Sequence, residues 1–311
     1  MKNKNIKTKS TSVFKRLIAK KLILGGAQFG NKYGVFSEYS KMKDRKEIKK
    51  IFDFSSKKKL KYIDTAHDYR NSEDIIGKLS KKNFLIISKI NIPNNFTYER
   101  IQSYVYQKIR ISLKRLNRKH LEILLLHNFD DYLKNKIYLK KISKVFVSLK
   151  KKGLVKKIGI STYFPEKIHE YIGCFNFKIA QVPFNVFDQR LLQSKIYKSK
   201  KFKKIQIHAR SVFLQGILLK ENYPKYFNKW QNKFKRFNNF IRQKKINALT
   251  FCLKLVLNNK RIDKTIIGFQ DLKQLKEIFE GIKIKKNYKK EFYKNFKSND
   301  YNLIIPRKWK V

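Results

Sequence analysis

Acidic residues are scarce in this chain of 311 residues, which has 22 Asp and Glu against 76 Lys and Arg and a formal net charge of +54. Such a basic balance raises two classes of partner, nucleic acid and an anionic surface. The basic residues are, however, spread over most of the predicted helices, and Lys is accompanied by many Ile, Asn, Phe and Tyr. A- and T-rich codons produce that mix, so drift in base composition is the alternative explanation, and we predict no specific nucleic-acid site.

Cysteine is almost absent as well. Cys174 and Cys252 are the two present, and their separation fits neither a disulfide framework nor a metal-ligand spacing. His120, His169 and His208 show no metal-ligand spacing either. We therefore predict that these histidines are structural, that there is no metal site, and that the protein works in a reducing compartment.

Long apolar runs are also missing, because no stretch of 18 apolar residues exists. This predicts a protein without a transmembrane helix. Residues 1–20 are basic and lack the apolar core of a secretory signal, so we expect a poorly ordered basic tail and a cytoplasmic protein. An organelle transit peptide stays open as an alternative.

What the chain does contain is a regular alternation of short apolar stretches and amphipathic segments, in a composition that is 42% apolar. Apolar runs of this kind are typical of strands buried on both faces of a parallel sheet. The predicted strands lie near Leu22–Leu24, Leu60–Ile63, Phe84–Ser88, Ile123–His127, Lys157–Thr162, Ile179–Val182, Ile205–Ala209 and Lys264–Gly268. The alternation predicts an α/β fold, a (β/α)8 TIM barrel forming a single domain over residues 21–311, with a C-terminal extension from about residue 281.

Several helix ends are also readable. Asp44 opens a predicted amphipathic helix that continues to Lys57, Ser72 is a predicted cap at the start of the next helix, Thr97 is a predicted cap of a long helix, and Gly153 is a predicted helix stop. The segment Leu218–Phe237 is longer than a barrel loop needs, so we expect it to contribute to substrate binding.

Ionisable side chains stand where three successive predicted strands end. Asp64 ends the second strand with Tyr69 on the loop after it, Lys89 follows the third strand, and His127 ends the fourth. Polar residues at the C-terminal ends of parallel barrel strands converge on one reaction site. We therefore expect Asp64, Tyr69, Lys89 and His127 to lie together.

These four residue types suit carbonyl reduction, which needs a proton donor at the substrate oxygen. A phenol is too weak an acid unless its anion is favoured, and the Lys89 cation is expected to lower the pKa of Tyr69. Asp64 would hold Lys89 by an ion pair, and His127 would donate a hydrogen bond to the carbonyl oxygen.

Each residue alone has a plainer explanation. Asp64 could be a satisfied carboxylate at a strand end, Tyr69 a packed aromatic, Lys89 a solvated strand end, and His127 a hydrogen-bonded core histidine. Their joint arrangement favours the catalytic interpretation. His67 lies between Asp64 and Tyr69 and is given no role beyond lining the pocket.

In this order, the four residues resemble the catalytic tetrad of the aldo-keto reductase family, and the segment from Asp64 to Glu73 is similar to its signature segment. Arg70 departs from that segment, because Gly is common there. The resemblance extends from about Leu22 to about Gly281. It implies an oxidoreductase that reduces a small-molecule aldehyde or ketone with NADPH or NADH, and it assigns the four residues the same roles.

The resemblance also implies a set of cofactor-binding residues. Ser161 and Gln181 would hold the nicotinamide carboxamide, with Thr162 where Asn is frequent, and Arg210 stands where an aromatic residue often stacks on the ring. The glycines after the first strand would allow a close backbone approach, the segment Arg210 to Gly216 would wrap the pyrophosphate, and Glu277 would contact the adenine. The complete predicted set is Gly25, Gly26, Ser161, Thr162, Gln181, Arg210, Ser211, Phe213, Gly216, Gln274 and Glu277.

The adenosine end departs from the family pattern. Members that prefer NADPH carry Lys or Arg after the eighth strand and on the next helix, whereas the matching positions here are Gly268, Phe269 and Gln274. Nucleotide preference is therefore open, with Lys273 or Lys276 as substitutes or as plain solvent-facing residues. Two other classes of function also stay open, a catalytically idle cofactor-binding barrel that acts as a sensor or subunit, and a basic binder of nucleic acid or anionic surfaces.

Overall fold

A computed structural model describes residues 20–30, 34–36, 44–284 and 286–310. Eight parallel strands pair in sequence order and the eighth pairs with the first, so the sheet closes into a barrel. The strands are β1 Leu22–Gly25, β2 Tyr62–Asp64, β3 Leu85–Ile90, β4 Leu121–Leu126, β5 Val155–Ser161, β6 Ile179–Pro183, β7 Gln206–Arg210 and β8 Lys264–Ile267. This confirms the (β/α)8 prediction, because each predicted strand is present within a few residues of its expected bounds.

Helices lie between the strands and after the last one. They are α1 Arg45–Lys57, α2 Ser72–Leu79, α3 Tyr98–Leu116, α4 Lys136–Lys151, α5 Lys195–Lys198, α6 Gln231–Gln243, α7 Ala248–Leu257, α8 Leu272–Lys283, α9 Lys290–Lys294 and α10 Tyr301–Ile304. Short 3-10 turns supplement them at Phe129–Tyr132, Ile168–Tyr171, Arg190–Gln193, Lys200–Phe202, Leu214–Leu219, Lys225–Trp230 and Pro306–Lys308.

The apolar side chains form two separate layers. A large cluster lies between the barrel and its helices, and the α3 residues Ile101, Val105 and Ile109 belong to it, as their helical spacing predicts. A small cluster fills the barrel interior, and its members are Ile23, Ile87, Ile123, Leu125, Ile179 and Ile266. The interior cluster forms a floor, and the polar side chains one step further along the strands lie above it.

Most predicted helix ends agree with the structure. Asp44 and Thr97 cap α1 and α3 by accepting bonds from the backbone N–H of Lys46 and Arg100. Gly153, directly after the cap residue of α4, has a φ of +72°, a conformation that favours glycine.

Ser72 is a correction to the sequence analysis. Asn71 occupies the cap position of α2, whereas Ser72 is inside the helix and fully buried. Its hydroxyl donates to the carbonyl oxygen of Gly26 at 2.8 Å and lies 2.9 Å from the hydroxyl of Thr65. Ser72 therefore ties α2 to the loop after β1 instead of capping its own helix.

The segment Leu218–Phe237 also differs from the expected loop. It contains the turn Lys225–Trp230 and the first half of α6. Trp230 is buried and donates from Nε1 to Asp300 Oδ2 at 2.8 Å, so it holds the C-terminal region against the barrel. Trp230 is a packing residue here and does not line the cavity described below.

Predictions had been made for both ends of the chain, a basic N-terminal tail and a C-terminal extension. The predicted basic tail is residues 1–20, of which residues 1–19 lie outside the described part of the chain. At the other end α8 continues to Lys283, slightly past the expected start of the extension, which then carries α9 and α10. Within the described ranges, none of the helices is both long enough and apolar enough to cross a membrane.

Candidate active site

The alternation of side chains along the strands places three polar residues in the barrel interior. Lys89 lies two positions after Ile87 and Gln181 two positions after Ile179, and both isoleucines belong to the interior floor. Lys89 lies inside β3, because the strand continues to Ile90 instead of ending before the lysine as expected. Asp64 is the last residue of β2, so the three side chains point into one layer above the floor.

Asp64 and Lys89 form a buried ion pair in this layer. The Lys89 ammonium lies 2.5 Å from Asp64 Oδ1 and also donates to the Thr65 carbonyl oxygen at 2.8 Å. Gln181 Nε2 donates to the other carboxylate oxygen of Asp64 at 2.7 Å. Both oxygens of Asp64 are therefore engaged, which offsets part of the cost of burying the two charges.

Tyr69 and His127 lie beside this pair. The Lys89 ammonium is 5.0 Å from the centroid of the Tyr69 ring. The rings of Tyr69 and His127 meet edge to face, with centroids 5.9 Å apart. The structure thus brings together all four residues predicted from the strand ends.

The pKa of Tyr69 differs from the sequence expectation. Burial raises this pKa, and the negative charge of Asp64 raises it further, while Arg210 opposes the change. The lowering expected from Lys89 is outweighed, because the phenol is buried and the Asp64 carboxylate lies beside the ammonium. Tyr69 therefore holds its proton at neutral pH, the state that a proton donor needs.

His127 is neutral under the same conditions. Burial lowers its pKa to about 3, and the nearby charges of Lys89 and Arg210 act in the same direction. Its Nδ1 is buried and makes no hydrogen bond with any residue that the structure describes. A neutral imidazole still has one N–H to donate, so His127 can bind an oxygen without being protonated.

A cavity of about 310 Å³ opens beside Asp64 and Tyr69 and extends along β8 to α8. Its size suits a small-molecule or cofactor site. Nine of the eleven predicted cofactor residues are on its wall, the exceptions being Ser161 and Thr162. The other wall residues, besides Asp64 and Tyr69, lie outside that predicted set and are Ala27, Gln28, Gly34, Phe36, Val212, Gln215, Leu219, Lys220, Leu249, Ile266, Gly268, Phe269, Gln270 and Ile278.

Comparison with known proteins decides the family. A model of the aldo/keto reductase family matches residues 21–300. The chain belongs to the aldo/keto reductase family.

The individual relatives of this aldo/keto reductase are distant. The uncharacterized oxidoreductase YqkF of Bacillus subtilis is 25% identical over 152 residues, which cover 45% of this chain and 48% of that protein. The match therefore spans about half the length of that relative.

Solved aldo-keto reductases share the fold. The holo form of AKR11C1 from Bacillus halodurans has a TM-score of 0.68 at 17% identity, covering 89% of this chain and 90% of that one. The putative aldo-keto reductase PA4992 of Pseudomonas aeruginosa has a TM-score of 0.61 at 18% identity, covering 85% and 90% of the two chains. At these identities the likeness shows the barrel alone.

Gly25 ends β1 and Gly26 follows it, and packing inside the barrel already requires glycine at both positions. A Cβ on Gly25 would come within 2.7 Å of the Ile267 carbonyl oxygen, and one on Gly26 within 2.9 Å of the Asp64 carbonyl oxygen. Both glycines line the cavity, but it is packing of barrel strands that excludes a side chain there. The backbone N–H of Gly26 donates to the Asp64 carbonyl oxygen at 2.7 Å, which fixes this loop against β2.

The carboxamide side of the predicted site is partly engaged by the protein itself. Ser161 and Thr162 are buried off the cavity wall, and the Thr162 hydroxyl donates to Asp130 Oδ1. Asp130 also accepts from the backbone N–H of Tyr163 at 2.8 Å. Asp130 is thus a partly buried residue that orients Thr162 and that sequence reasoning missed, because only the fold brings the loop after β4 to the end of β5.

Arg210, at the end of β7, already lies over an aromatic ring. Its guanidinium carbon is 4.0 Å from the centroid of the Tyr163 ring, and Nη2 donates to the Thr162 carbonyl oxygen at 3.2 Å. In the following segment the backbone is left-handed at Ser211, Leu214 and Gln215, a conformation that residues other than glycine rarely adopt. Backbone strain of this kind tends to occur at binding segments.

The outer wall of the cavity is formed by the start of α8. Gln274 is bonded to Gln270, whose backbone N–H donates to Gln274 Oε1 at 2.9 Å. Glu277 lines the wall one turn later, whereas the proposed substitutes Lys273 and Lys276 are exposed and lie off the wall. Their side chains therefore face solvent, as the plainer explanation predicts.

A second polar network is buried behind β3. Glu73 is fully buried and accepts from the Ser88 hydroxyl at 2.8 Å, while His67 Nδ1 lies 2.9 Å from the Ser112 hydroxyl. His67, which was given no role beyond lining the pocket, lies off the cavity wall: it is packed behind the strand, and its backbone N–H donates to the Lys89 carbonyl oxygen at 2.9 Å. This network supports the strand that carries Lys89. Across the described ranges, no cluster of three or more His, Cys, Asp or Glu could hold a metal ion.

Proposed function

We propose that this aldo/keto reductase reduces a small aldehyde or ketone to an alcohol, with NADPH or NADH as the reductant. The observation that carries the proposal is the buried Asp64–Lys89 pair beside Tyr69 and His127, because Asp64 and Tyr69 also lie on the wall of a cavity that most of the predicted cofactor residues line. Four side chains of these types in contact suit proton transfer to a carbonyl oxygen.

The residues present fit a nicotinamide nucleotide. The cavity reaches from Tyr69 in the barrel to Glu277 on α8, and the strained segment after β7 forms one wall. Gln181 and Arg210 would hold the nicotinamide end, and Gln274 with Glu277 the adenosine end. When bound, the nucleotide supplies a hydride to the carbonyl carbon.

The protein's own part is to hold the carbonyl oxygen and to protonate it. His127, neutral and with one N–H available, would donate to the oxygen and fix its position. Tyr69 would then pass its proton to the oxygen as the alcohol forms. The Lys89 ammonium, held by Asp64, would stabilise the phenolate that remains, because an opposite charge nearby favours the ionised phenol.

A screen of the purified protein tests this function. NADPH and NADH are each offered with a panel of aldehydes and ketones, and oxidation of the nucleotide is followed by its absorbance. Tyr69→Phe should lower kcat by about 10² or more while nucleotide affinity barely changes. Reduction by Tyr69→Phe at the native rate would reject the proton donor, and nucleotide binding without any turnover would favour the idle barrel.

We propose further that the +54 charge gives non-specific binding of polyanions and no specific nucleic-acid site. Binding of this kind comes from counterion release, so it should weaken steeply with salt while carbonyl reduction continues. Competition between oligonucleotides at physiological salt is the measurement. One sequence bound about 10³-fold more tightly than random DNA would contradict the proposal.

A further inference from the structure

The outer end of the cavity carries a cation that the family resemblance did not assign. Within the described residues, the two cations on the cavity wall are Arg210 and Lys220. We propose that Lys220 binds the 2′-phosphate of NADPH and sets the preference between NADPH and NADH. The inference rests on the proposed function in one respect, since it takes the nucleotide as the occupant of the cavity.

The course of the chain places Lys220 away from the reaction centre. Arg210, at the inner end, is close enough to affect the pKa values of Tyr69 and His127. From there the cavity wall continues through the turn Leu214–Leu219 and ends at Lys220. The turn that precedes Lys220 packs against α7, the helix that carries the wall residue Leu249.

Contacts between α7 and α8 show what lies at this outer end. Leu249, on α7, lines the cavity, and its Cδ2 lies 2.7 Å from the position that a Cβ on Gly281 would take. Gly281 is one helical turn after Glu277, on the same side of α8. Leu249 and Glu277 thus close the adenosine end of the same cavity whose wall includes Lys220.

The Lys220 ammonium is available for a ligand. It makes no ion pair and no hydrogen bond with any of the residues that the structure describes. Arg210 differs, because its guanidinium bonds to the Thr162 carbonyl oxygen and lies on the Tyr163 ring. Lys220 is exposed, so its charge is solvated and costs little to keep at the rim of the cavity.

The backbone of Lys220 is nevertheless held in place. Its carbonyl oxygen accepts from the Tyr223 hydroxyl at 2.5 Å. The Tyr223 ring stacks on Phe234 of α6 with centroids 4.2 Å apart, and Asn238 Nδ2 donates to the same hydroxyl at 3.0 Å. The long segment after Leu218 therefore fixes the backbone of Lys220 at the cavity wall through Tyr223, Phe234 and Asn238.

The other side chains at the adenosine end of the cavity do not attract a phosphate, so a single lysine can decide the nucleotide preference. Glu277 would repel a 2′-phosphate, and Gln274 offers no charge and is bonded to Gln270. A cation that binds the phosphate offsets this repulsion through a charge-assisted bond. Because Lys220 is exposed and single, we expect a preference for NADPH of about tenfold, below that of a buried cluster of arginines.

Calorimetric titration of the full-length protein with NADPH and NADH tests the assignment by binding alone. Lys220→Gln should lower the affinity for NADPH by about tenfold and change the affinity for NADH by no more than about twofold, because only NADPH carries the 2′-phosphate. Lys220→Arg should retain the NADPH affinity. Lys225→Gln is the matched control, since Lys225 is also exposed, lies on the next turn, and is off the cavity wall.

Each remaining outcome has a defined meaning. If Lys220→Gln lowered the affinity for both nucleotides equally, the lysine would bind the pyrophosphate and the 2′-phosphate assignment would be wrong. An unchanged affinity for NADPH would also overturn the assignment. Selective weakening of NADPH in a protein that reduces none of the carbonyls would support Lys220 while rejecting the proposed reaction. A native protein that binds neither nucleotide would reject both.

Discussion

The two ends of the cavity are built from different kinds of element. At the inner end Asp64, Lys89 and Gln181 come from three barrel strands, are almost fully buried, and bond to one another at 2.5–2.7 Å. At the outer end Lys220 comes from a loop and Glu277 from the surface of α8, and both are exposed. The inner end is therefore fixed before any ligand arrives, whereas the outer end is solvated.

This difference separates chemistry from selectivity. A buried, fully bonded charge pair cannot be altered at one member without leaving the other uncompensated, so changes at the inner end should be severe. Exposed charges are screened by water, so changes at the outer end should be modest and confined to nucleotide preference. The following predictions test that division, beginning with the largest expected effect.

Lys89→Met should abolish reduction, by at least about 10³-fold, because no cation then stabilises the Tyr69 phenolate. The variant also leaves Asp64 buried without its partner, which should lower the free energy of unfolding by about 3–5 kcal/mol. Denaturant unfolding and turnover are the measurements. The double variant Lys89→Met with Asp64→Asn should recover stability but remain inactive, and recovery of activity would contradict the role of Lys89.

Asp64→Asn should be damaging but milder, since Lys89 keeps its ammonium. Asp64 raises the pKa of Lys89 against the effect of burial, so its loss should lower that pKa, and each pK unit is a tenfold change in ionisation. We expect a loss in kcat on the order of tenfold, largest at high pH where the ammonium deprotonates. Unchanged rate and stability in this variant would reduce Asp64 to a bystander.

Gln274→Arg tests the outer end by adding the cation that this position lacks. The affinity for NADPH should rise by about tenfold relative to NADH, and kcat with saturating nucleotide should stay the same. Lys276→Gln, on the exposed side of α8, is the control and should change neither quantity. A large fall in kcat for Gln274→Arg would show that the two ends are coupled.

The smallest effect is expected from pH. His127 has its pKa lowered to about 3 and is neutral throughout the range above pH 5, and burial keeps Tyr69 protonated beyond the ordinary range of a phenol. The value of kcat for reduction should therefore show no step between pH 5 and pH 8 from either residue. A clear transition near pH 6.5, absent from His127→Gln, would mean that the histidine must change its charge during the reaction.

The sequence predicted the inner end better than the outer one, for a physical reason. Strand periodicity and the position of Asp64, Tyr69 and His127 at or after strand ends sufficed to bring them together, since parallel strands in a barrel share one C-terminal edge. Lys89 was placed at a tip although it lies within β3, yet its side still followed from alternation with Ile87.

The errors arose where a contact joins parts of the chain that are distant in sequence. Ser72 resembles a helix cap, but its hydroxyl is taken by the Gly26 carbonyl oxygen. The pKa of Tyr69 was given the wrong direction because burial, which outweighs the nearby lysine, cannot be read from residue types.

By itself, the amino-acid sequence determined the barrel, its strand order and the grouping of the four candidate residues, because these depend on local periodicity and on a closed sheet. The tertiary structure alone decided which polar groups are buried, which form ion pairs or hydrogen bonds, and which loops are in contact. It placed Lys220 on the cavity wall and Lys273 and Lys276 off it, a distinction among exposed lysines that no local pattern contains. Burial and pairing depend on contacts between distant segments, and these exist only once the chain has folded.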